Sequence, residues 1–450
     1  MSRLFALCIL LALVLASPSM ARGLRVYGPK VISRDTPLPA SCDGQRHETD
    51  TMLAADPGRP RHLVATWSQD GNKSNVTATT RNSGRSWKIA TIPGISKCTG
   101  GSSDQVVDPW VSIGRRGVAY FASLPLSVPG FLVNRSASGG ASWSAPATAD
   151  PGAGLTDDLP SVVADPRRRG RAYLTWSRFT FNGSEMTGGD ARFSSTTDGA
   201  RTFSAPVVIH TPPAGRLVLE SRLMRLSDGT LLDVFGDEAV EPVTAPLEAF
   251  ATRSRNGGRT WSRPVRIATI PHDAILDPDS GGPRYSACCL FAAAAGRHRR
   301  AYVAYTRVAG TRAGRVVVVA SRNGGKRWGR PRTVARLSAQ ALQPAVAVAG
   351  NGTVGVTWYD FRHDRPGDAA LTTDYWFAYS RGGGRRWRRR HLGGPFDLRS
   401  SSRTGRPLGV YEGLAGLPRG FVTTFIQASP RARFGSEDVF FARVTLPRRR

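Results

Sequence analysis

Six copies of one short turn motif run through this chain at nearly even spacing. The clearest are Ser254-Arg255-Asn256-Gly257-Gly258-Arg259-Thr260-Trp261 and Ser321-Arg322-Asn323-Gly324-Gly325-Lys326-Arg327-Trp328. The others run from Thr80 to Trp87, Ser136 to Trp143, Thr196 to Phe203 and Ser380 to Trp387. Successive starts lie about 60 residues apart, a period that points to a repeat architecture. Each copy follows a β-rich run such as Arg315 to Ala320 and precedes another such as Trp261 to Ile267, so it reads as a hairpin turn. Asn or Asp bonds its own backbone two residues on, and Gly supplies positive φ without a Cβ clash. The closing Trp or Phe is a large apolar anchor. Three copies are imperfect: Ser138, Ala200 and Gly382 stand where the pattern has an acid or amide, a Gly and an acid. Nothing in the turn demands a metal or a substrate, so it reads as part of the scaffold.

A second repeat lies upstream of each turn. It is a short apolar alternation ending in an aromatic: Trp67, Phe121, Trp176, Phe235, Tyr305, Trp358 and Phe425. That makes seven copies, one more than the turns. Each follows a first strand such as Pro344 to Val348 across a Gly-containing turn. Short strands at regular spacing indicate an all-β chain, and four per repeat indicate the blades of a β-propeller. The seventh copy is followed by one strand, Asp438 to Leu446, and no further turn motif. The run Leu24 to Ile32 is a spare strand before the first blade. It is expected to complete the last blade and close the ring, removing an exposed edge. Seven blades are expected, with six as the alternative.

Residues Phe5 to Ala16 are almost wholly apolar after Arg3, and Ser19-Met20-Ala21 offers small residues for cleavage. This pattern reads as a secretory signal peptide over residues 1–21, with one propeller domain over 22–450, secreted and without a membrane span. Of the remaining cysteines, Cys42 and Cys98 are the favoured disulfide; Cys288 and Cys289 form a vicinal disulfide or stay free. No Cys/His spacing resembles a zinc site, and no cofactor is expected.

The formal net charge is +29, carried almost entirely by arginine, since the lysines are only Lys30, Lys73, Lys88, Lys97 and Lys326. The basic residues fall mostly in turns and ends, as in Arg167 to Arg169 and Arg386 to Arg390. No aromatic-interleaved basic groove motif accompanies them, so no nucleic-acid partner is expected. Loose adhesion to acidic polymers is, and it should weaken with salt.

In a four-stranded blade all turns of the repeated motif share one face. Loops entering the first strand and joining second to third share the other, where a rigid scaffold can present a site. Those positions hold His47, Glu48, Asp50 and Asp70 in blade 1; Asp104 and Asp108 in blade 2; Asp157 and Asp158 in blade 3. They continue with Glu220, Arg222 and Asp237 in blade 4, and Arg284 and Tyr285 in blade 5. Blade 6 offers Gln343, Tyr359, Asp360, Arg362, His363 and Asp364, and blade 7 Tyr411 and Glu412. Converging carboxylates with Arg and Tyr suit a sugar site, because two carboxyl groups flanking a glycosidic bond can supply acid and base or nucleophile.

The turn motif matches the S-x-D-x-G-x-x-W pattern of the Asp-box, or BNR, repeat. The chain as a whole resembles secreted bacterial BNR-repeat proteins of the sialidase superfamily. Glu220 to Gly229 resembles the family's Glu followed by a Leu-x-Asp-Gly turn, and Tyr411 to Gly420 the stretch opened by its nucleophilic Tyr. The resemblance implies a glycoside hydrolase acting on a glycan or glycoconjugate, as a monomer. Glu220 is implied as base, Tyr411 as nucleophile, and Asp70 or Asp50 as acid/base. Arg222, Arg284 and Arg362 would contact an anionic group, with Tyr285, Asp360 and Glu412 lining the substrate site. The family's Arg-Ile-Pro motif is replaced by Glu48-Thr49-Asp50-Thr51, and its second arginine position reads Phe235-Gly236-Asp237. Strict sialic-acid specificity is therefore not expected. A non-catalytic carbohydrate- or protein-binding propeller is the alternative.

Overall fold

The computed structural model describes residues 23–42, 47–151, 156–242, 245–271, 274–285, 291–308, 313–401, 408–428 and 437–447. Seven antiparallel sheets of four strands form a ring. The first strands of the blades are Thr49–Ala55, Val106–Ile113, Asp157–Ala164, Arg216–Arg225, Phe291–Ala295, Ala341–Val348 and Gly413–Leu417. Each packs against its neighbours on both sides around a central channel, the seventh against the first. The last blade takes its fourth strand, Arg25–Val31, from the N-terminus, where it pairs with Glu437–Thr445. Seven blades and closure by the N-terminal strand are as the sequence leads one to expect. A small hairpin, Ile275–Leu276 with Pro283–Tyr285, is inserted between blades 4 and 5. The signal-peptide residues and Cys288–Cys289 lie outside the described residues; Cys42 and Cys98 are joined by a disulfide.

The repeated turns share one hydrogen-bond pattern. The opening Ser or Thr hydroxyl accepts from the backbone N–H four residues on in all six copies, at 2.7–3.1 Å. Asn82, Asp198, Asn256 and Asn323 accept from the N–H four residues beyond themselves. Ser138 does the same with its hydroxyl, which explains how that copy tolerates losing its acid.

The closing aromatic and the second glycine face the preceding blade. Trp261 meets Phe193 of blade 3 edge-on at 5.4 Å, and Trp87 of blade 1 meets Phe441 of blade 7 at 5.1 Å. A Cβ on Gly258 would lie 2.0 Å from the Phe193 ring, and one on Gly84 would lie 2.1 Å from Phe441. Both glycines hold positive φ. The seam between first and last blades is thus built like the internal ones.

Two glycine substitutions separate these effects. Gly84→Ala should lower stability by about 3 kcal/mol, from left-handed strain plus overpacking on Phe441. Gly257→Ala has the same sign of φ but nothing within 4 Å of the new Cβ, and should cost about 1 kcal/mol. Urea midpoints of the two variants, compared with the parent, provide the check.

Candidate functional site

Five of the first strands open with the same irregularity. Pairing with the second strand shifts register between Thr49 and Met52, Val107 and Trp110, Asp158 and Ser161, Leu219 and Arg222, and Leu342 and Ala345. In each, two residues oppose one, a β-bulge. The first bulged residue is left-handed every time: Asp50, Asp108, Leu159, Glu220 and Gln343, with φ between 46° and 58°. Non-glycine residues there are strained, and such strain persists where the surroundings over-determine it, often at functional sites. Trp67, Trp176, Phe235 and Trp358 are the residues facing four of these bulges, and all are fully buried. The aromatic endings of the second sequence repeat therefore wedge the bulges in place.

Four of the five bulged side chains converge on one segment, Gly409–Tyr411, which leads into blade 7. Asp50 accepts from the Val410 N–H. Gln343 Nε2 donates to the Gly409 carbonyl at 2.6 Å. The Tyr411 hydroxyl donates to Asp108 Oδ1 at 3.1 Å. Leu159 packs on Val410 and Tyr411. Gly409 has φ +81° and no room for a Cβ, which would lie 2.3 Å from the Asp50 nitrogen. The fifth bulged residue, Glu220, turns to blade 5, where its Oε2 lies 3.4 Å from the Phe291 N–H.

Arg222 completes the group. Its guanidinium carbon sits 5.0 Å over the Trp110 ring and 4.7 Å over the Tyr411 ring, and the two rings themselves meet edge-on at 5.7 Å. It is only 6 % exposed, yet its Nη1 has no hydrogen-bond partner among the described residues. Burial pushes the Tyr411 phenol well above its ordinary range; Asp108 adds to the rise and Arg222 opposes it. A cavity of about 400 Å³ runs beside this group, lined by first strands and by Trp110, Arg222, Gln343, Tyr411 and Glu412.

Burial raises two further carboxyls. Glu238, at the end of the second strand of blade 4, is raised to about 8 by burial and by the nearby Glu220 charge, Arg216 opposing. Glu412 is raised well above its ordinary range, chiefly by burial. The Tyr359 oxygen lies 2.7 Å from Glu412 Oε1 and 2.8 Å from the Ile426 carbonyl, while accepting from the Ile426 N–H. The phenol donates its single proton to one of these two acceptors at a time.

The other candidates separate from this group. Asp70 is buried in the turn after the second strand of blade 1, left-handed at φ 53°. Its charge acts on Glu48, as do those of Glu437 and Asp438 from blade 7. Asp360 and Arg362 bind each other through both carboxylate oxygens, and Arg362 lies 3.8 Å over Trp376. Asp360 also accepts from Trp358 Nε1 at 2.7 Å, so this pair braces blade 6. Asp157 is gripped by Arg178, and Asp237 by Arg216. Asp104 pairs with Lys97 on the surface. Arg284 and Tyr285 fall on the inserted hairpin, ahead of blade 5 rather than at its first strand, and their side chains lie outside the described residues. Among the described residues no group of three or more His, Cys, Asp or Glu is arranged to hold a metal ion. No described helix is long and apolar enough to cross a membrane.

The sequence reading pairs Tyr411 with Glu220; the carboxylate that bonds its hydroxyl in the structure is Asp108. Glu238 and Trp110 escape that reading altogether. One signal was available: the bulged residue is followed by proline in Asp108-Pro109, Leu159-Pro160 and Gln343-Pro344.

No protein-family model matches the chain, and no curated protein matches its sequence. Solved structures resemble it at low identity. A protein of unknown function from Dyadobacter fermentans is 11 % identical, covering 94 % of this chain and 100 % of that one, at TM-score 0.49. A Hadza microbial sialidase is 15 % identical over 85 % of this chain and 73 % of its own, also at 0.49. The α-L-arabinofuranosidase Arb93A from Fusarium graminearum, solved with an iminosugar inhibitor, is 14 % identical over 76 % and 93 %, at 0.46.

Glu238 gives a test of the electrostatics. Its folded value of about 8 exceeds the ordinary 4.5, so the ionised unfolded state is favoured progressively as pH rises between those values. Glu238→Gln should therefore gain stability over the parent at pH 8 and not at pH 4. Urea midpoints at the two pH values measure the difference.

Proposed function

We propose that this chain is a glycan-acting propeller, a glycoside hydrolase whose reaction centre is the Tyr411–Asp108 pair at the mouth of the channel. The observation that carries the reading is the buried, unpartnered Nη1 of Arg222 beside a tyrosine whose hydroxyl already donates to a carboxylate. A phenol is a poor nucleophile at neutral pH without a base, and Asp108 is placed to take its proton. The phenol oxygen would attack the anomeric carbon as the leaving oxygen takes a proton from a neutral carboxyl, a role Glu238 would fill on its raised pKa and its place near the mouth-side end of the second strand of blade 4. Water, giving its proton back to that carboxylate, would then release the sugar, and Tyr411 would recover its proton from Asp108. Arg222 steadies the developing phenolate through the ring face and offers its Nη1 to an oxygen of the substrate. Asp50 accepts the Val410 N–H and serves as an anchor. The apolar Phe5–Ala16 run and the Cys42–Cys98 disulfide support work outside the cell.

A specific observation also favours the binding alternative. Tyr411 is 4 % exposed, and its segment is tied to four other blades. That geometry suits a plug that closes the mouth, leaving recognition to the surrounding rim.

A panel of fluorogenic sialosides, uronides, hexosides and pentosides tests the two. The hydrolase reading expects turnover that falls on the order of 100-fold or more in Tyr411→Phe and Asp108→Asn. Absence of turnover on every glycoside, with both variants losing only about 1 kcal/mol of stability, would establish the plug instead.

A further inference from the structure

The face opposite the mouth carries a feature that the site does not use. Turns between first and second strands meet the repeated turns there, and three clefts open between them. The first, about 990 Å³, spans blades 3 to 5 and is lined by Arg167, Arg168, Arg171, Arg255, Arg259 and Arg299. The second, about 640 Å³, lies between blades 5 and 6 and is lined by Arg300, Arg322, Arg327, Arg330 and Arg385. The third, about 550 Å³, is lined by Arg381, Arg385, Arg386 and Arg388 on blade 6. Adjacent residues Arg299 and Arg300 join the first cleft to the second, and Arg385 belongs to both second and third. Among the described residues no acidic side chain lines the second or third. In the first, Asp165 is engaged by Arg225 at 3.3 Å, and Asp228 lies 3.8 Å from Arg299.

We propose that these clefts form one track that binds a linear acidic polysaccharide bearing carboxylate or sulfate groups. The basic residues that look scattered in sequence are brought into series because each blade repeats the same turns at the same height. Arginine forks match planar or tripodal oxyanions, and a row of them across successive blades matches a polymer with a charge on each repeat. A nucleic acid fits less well. Single strands need aromatic platforms on which bases stack. The aromatics that line the track are Tyr173, Tyr302, Tyr379 and Trp328; the three tyrosines are buried and Trp328 is half-buried, so none stands free as a row of stacking platforms. Its walls are tight turns, with no helix or ribbon to enter a major groove.

The test is binding of the full chain to polygalacturonate at about 0.15 M salt, with dextran and duplex DNA as companion probes. The track variant R322S/R327S/R385S removes three exposed cations. The control R61S/R85S/R116S removes three exposed cations from the same face on blades 1 and 2, so the net charge change is equal. The track variant is expected to weaken polygalacturonate binding at least about tenfold and to flatten its salt dependence by about two to three in log–log slope. The control should change it less than about twofold, and dextran should not bind. Equal losses in the two triples would overturn the track in favour of diffuse attraction. DNA bound as tightly as polygalacturonate, with the same loss in the track variant, would overturn the polysaccharide assignment in favour of nucleic acid. No binding of polygalacturonate by the parent would overturn the proposal outright.

Discussion

In four of the six repeated turns the second glycine has no room for a side chain, because the preceding blade fills that space. At Gly258 the occupant is Phe193, and at Gly84 it is Phe441, each roughly two ångströms from where a Cβ would stand. The closing tryptophan then covers the same ring edge-on. A sheet in this fold buries its faces only against its neighbours, so the stability of each blade is a property of its two seams. The ring holds because the seam joining the two ends of the chain repeats this contact. Residues 25–31 add the missing strand, and Trp87 with Gly84 locks that blade to the first.

Rigidity at the seams permits irregularity at the inner strands. Five left-handed bulges, each faced by a buried residue of the second strand, would unwind in an isolated hairpin. Held in the ring, they turn Asp50, Asp108, Leu159 and Gln343 onto the single segment Gly409–Tyr411. At these four positions the cost of the strained dihedral is offset by a hydrogen bond or apolar contact with that segment. Arg222, over the rings of Trp110 and Tyr411, places a desolvated cation beside a phenol and a carboxylate. Cation, phenol and carboxylate thus come from blades 4, 7 and 2, which touch only across the channel.

The two faces divide the electrostatics. Carboxyls gather at the mouth and along the seam of blades 1 and 7, where burial raises Glu238 to about 8 and Glu412 well above its ordinary range. Arginines line the clefts on the face of the repeated turns. A blade places its first-to-second and third-to-fourth turns on one side and its remaining loops on the other. Residue classes that alternate along the chain are therefore sorted in space.

Repeat period, strand count, blade number and the closing role of the N-terminal strand were legible in the residues alone. They follow from local chemistry: turn dihedrals, apolar alternation and the one blade with no copy of the turn motif. The face that would carry a site was legible for the same reason. Partners within that face were not. Arg362 looks like an anion ligand in sequence, but Asp360, two residues away, takes it. Glu220 and Tyr411 look like a pair, but the carboxylate bonding Tyr411 comes from Asp108, three hundred residues distant. A bulge turns a side chain by a rotation that no period in the sequence encodes, and the ring decides which bulge meets which. Spacing along the chain sets the elements; closure of the ring sets the contacts, because each channel-facing residue has its partners on other blades.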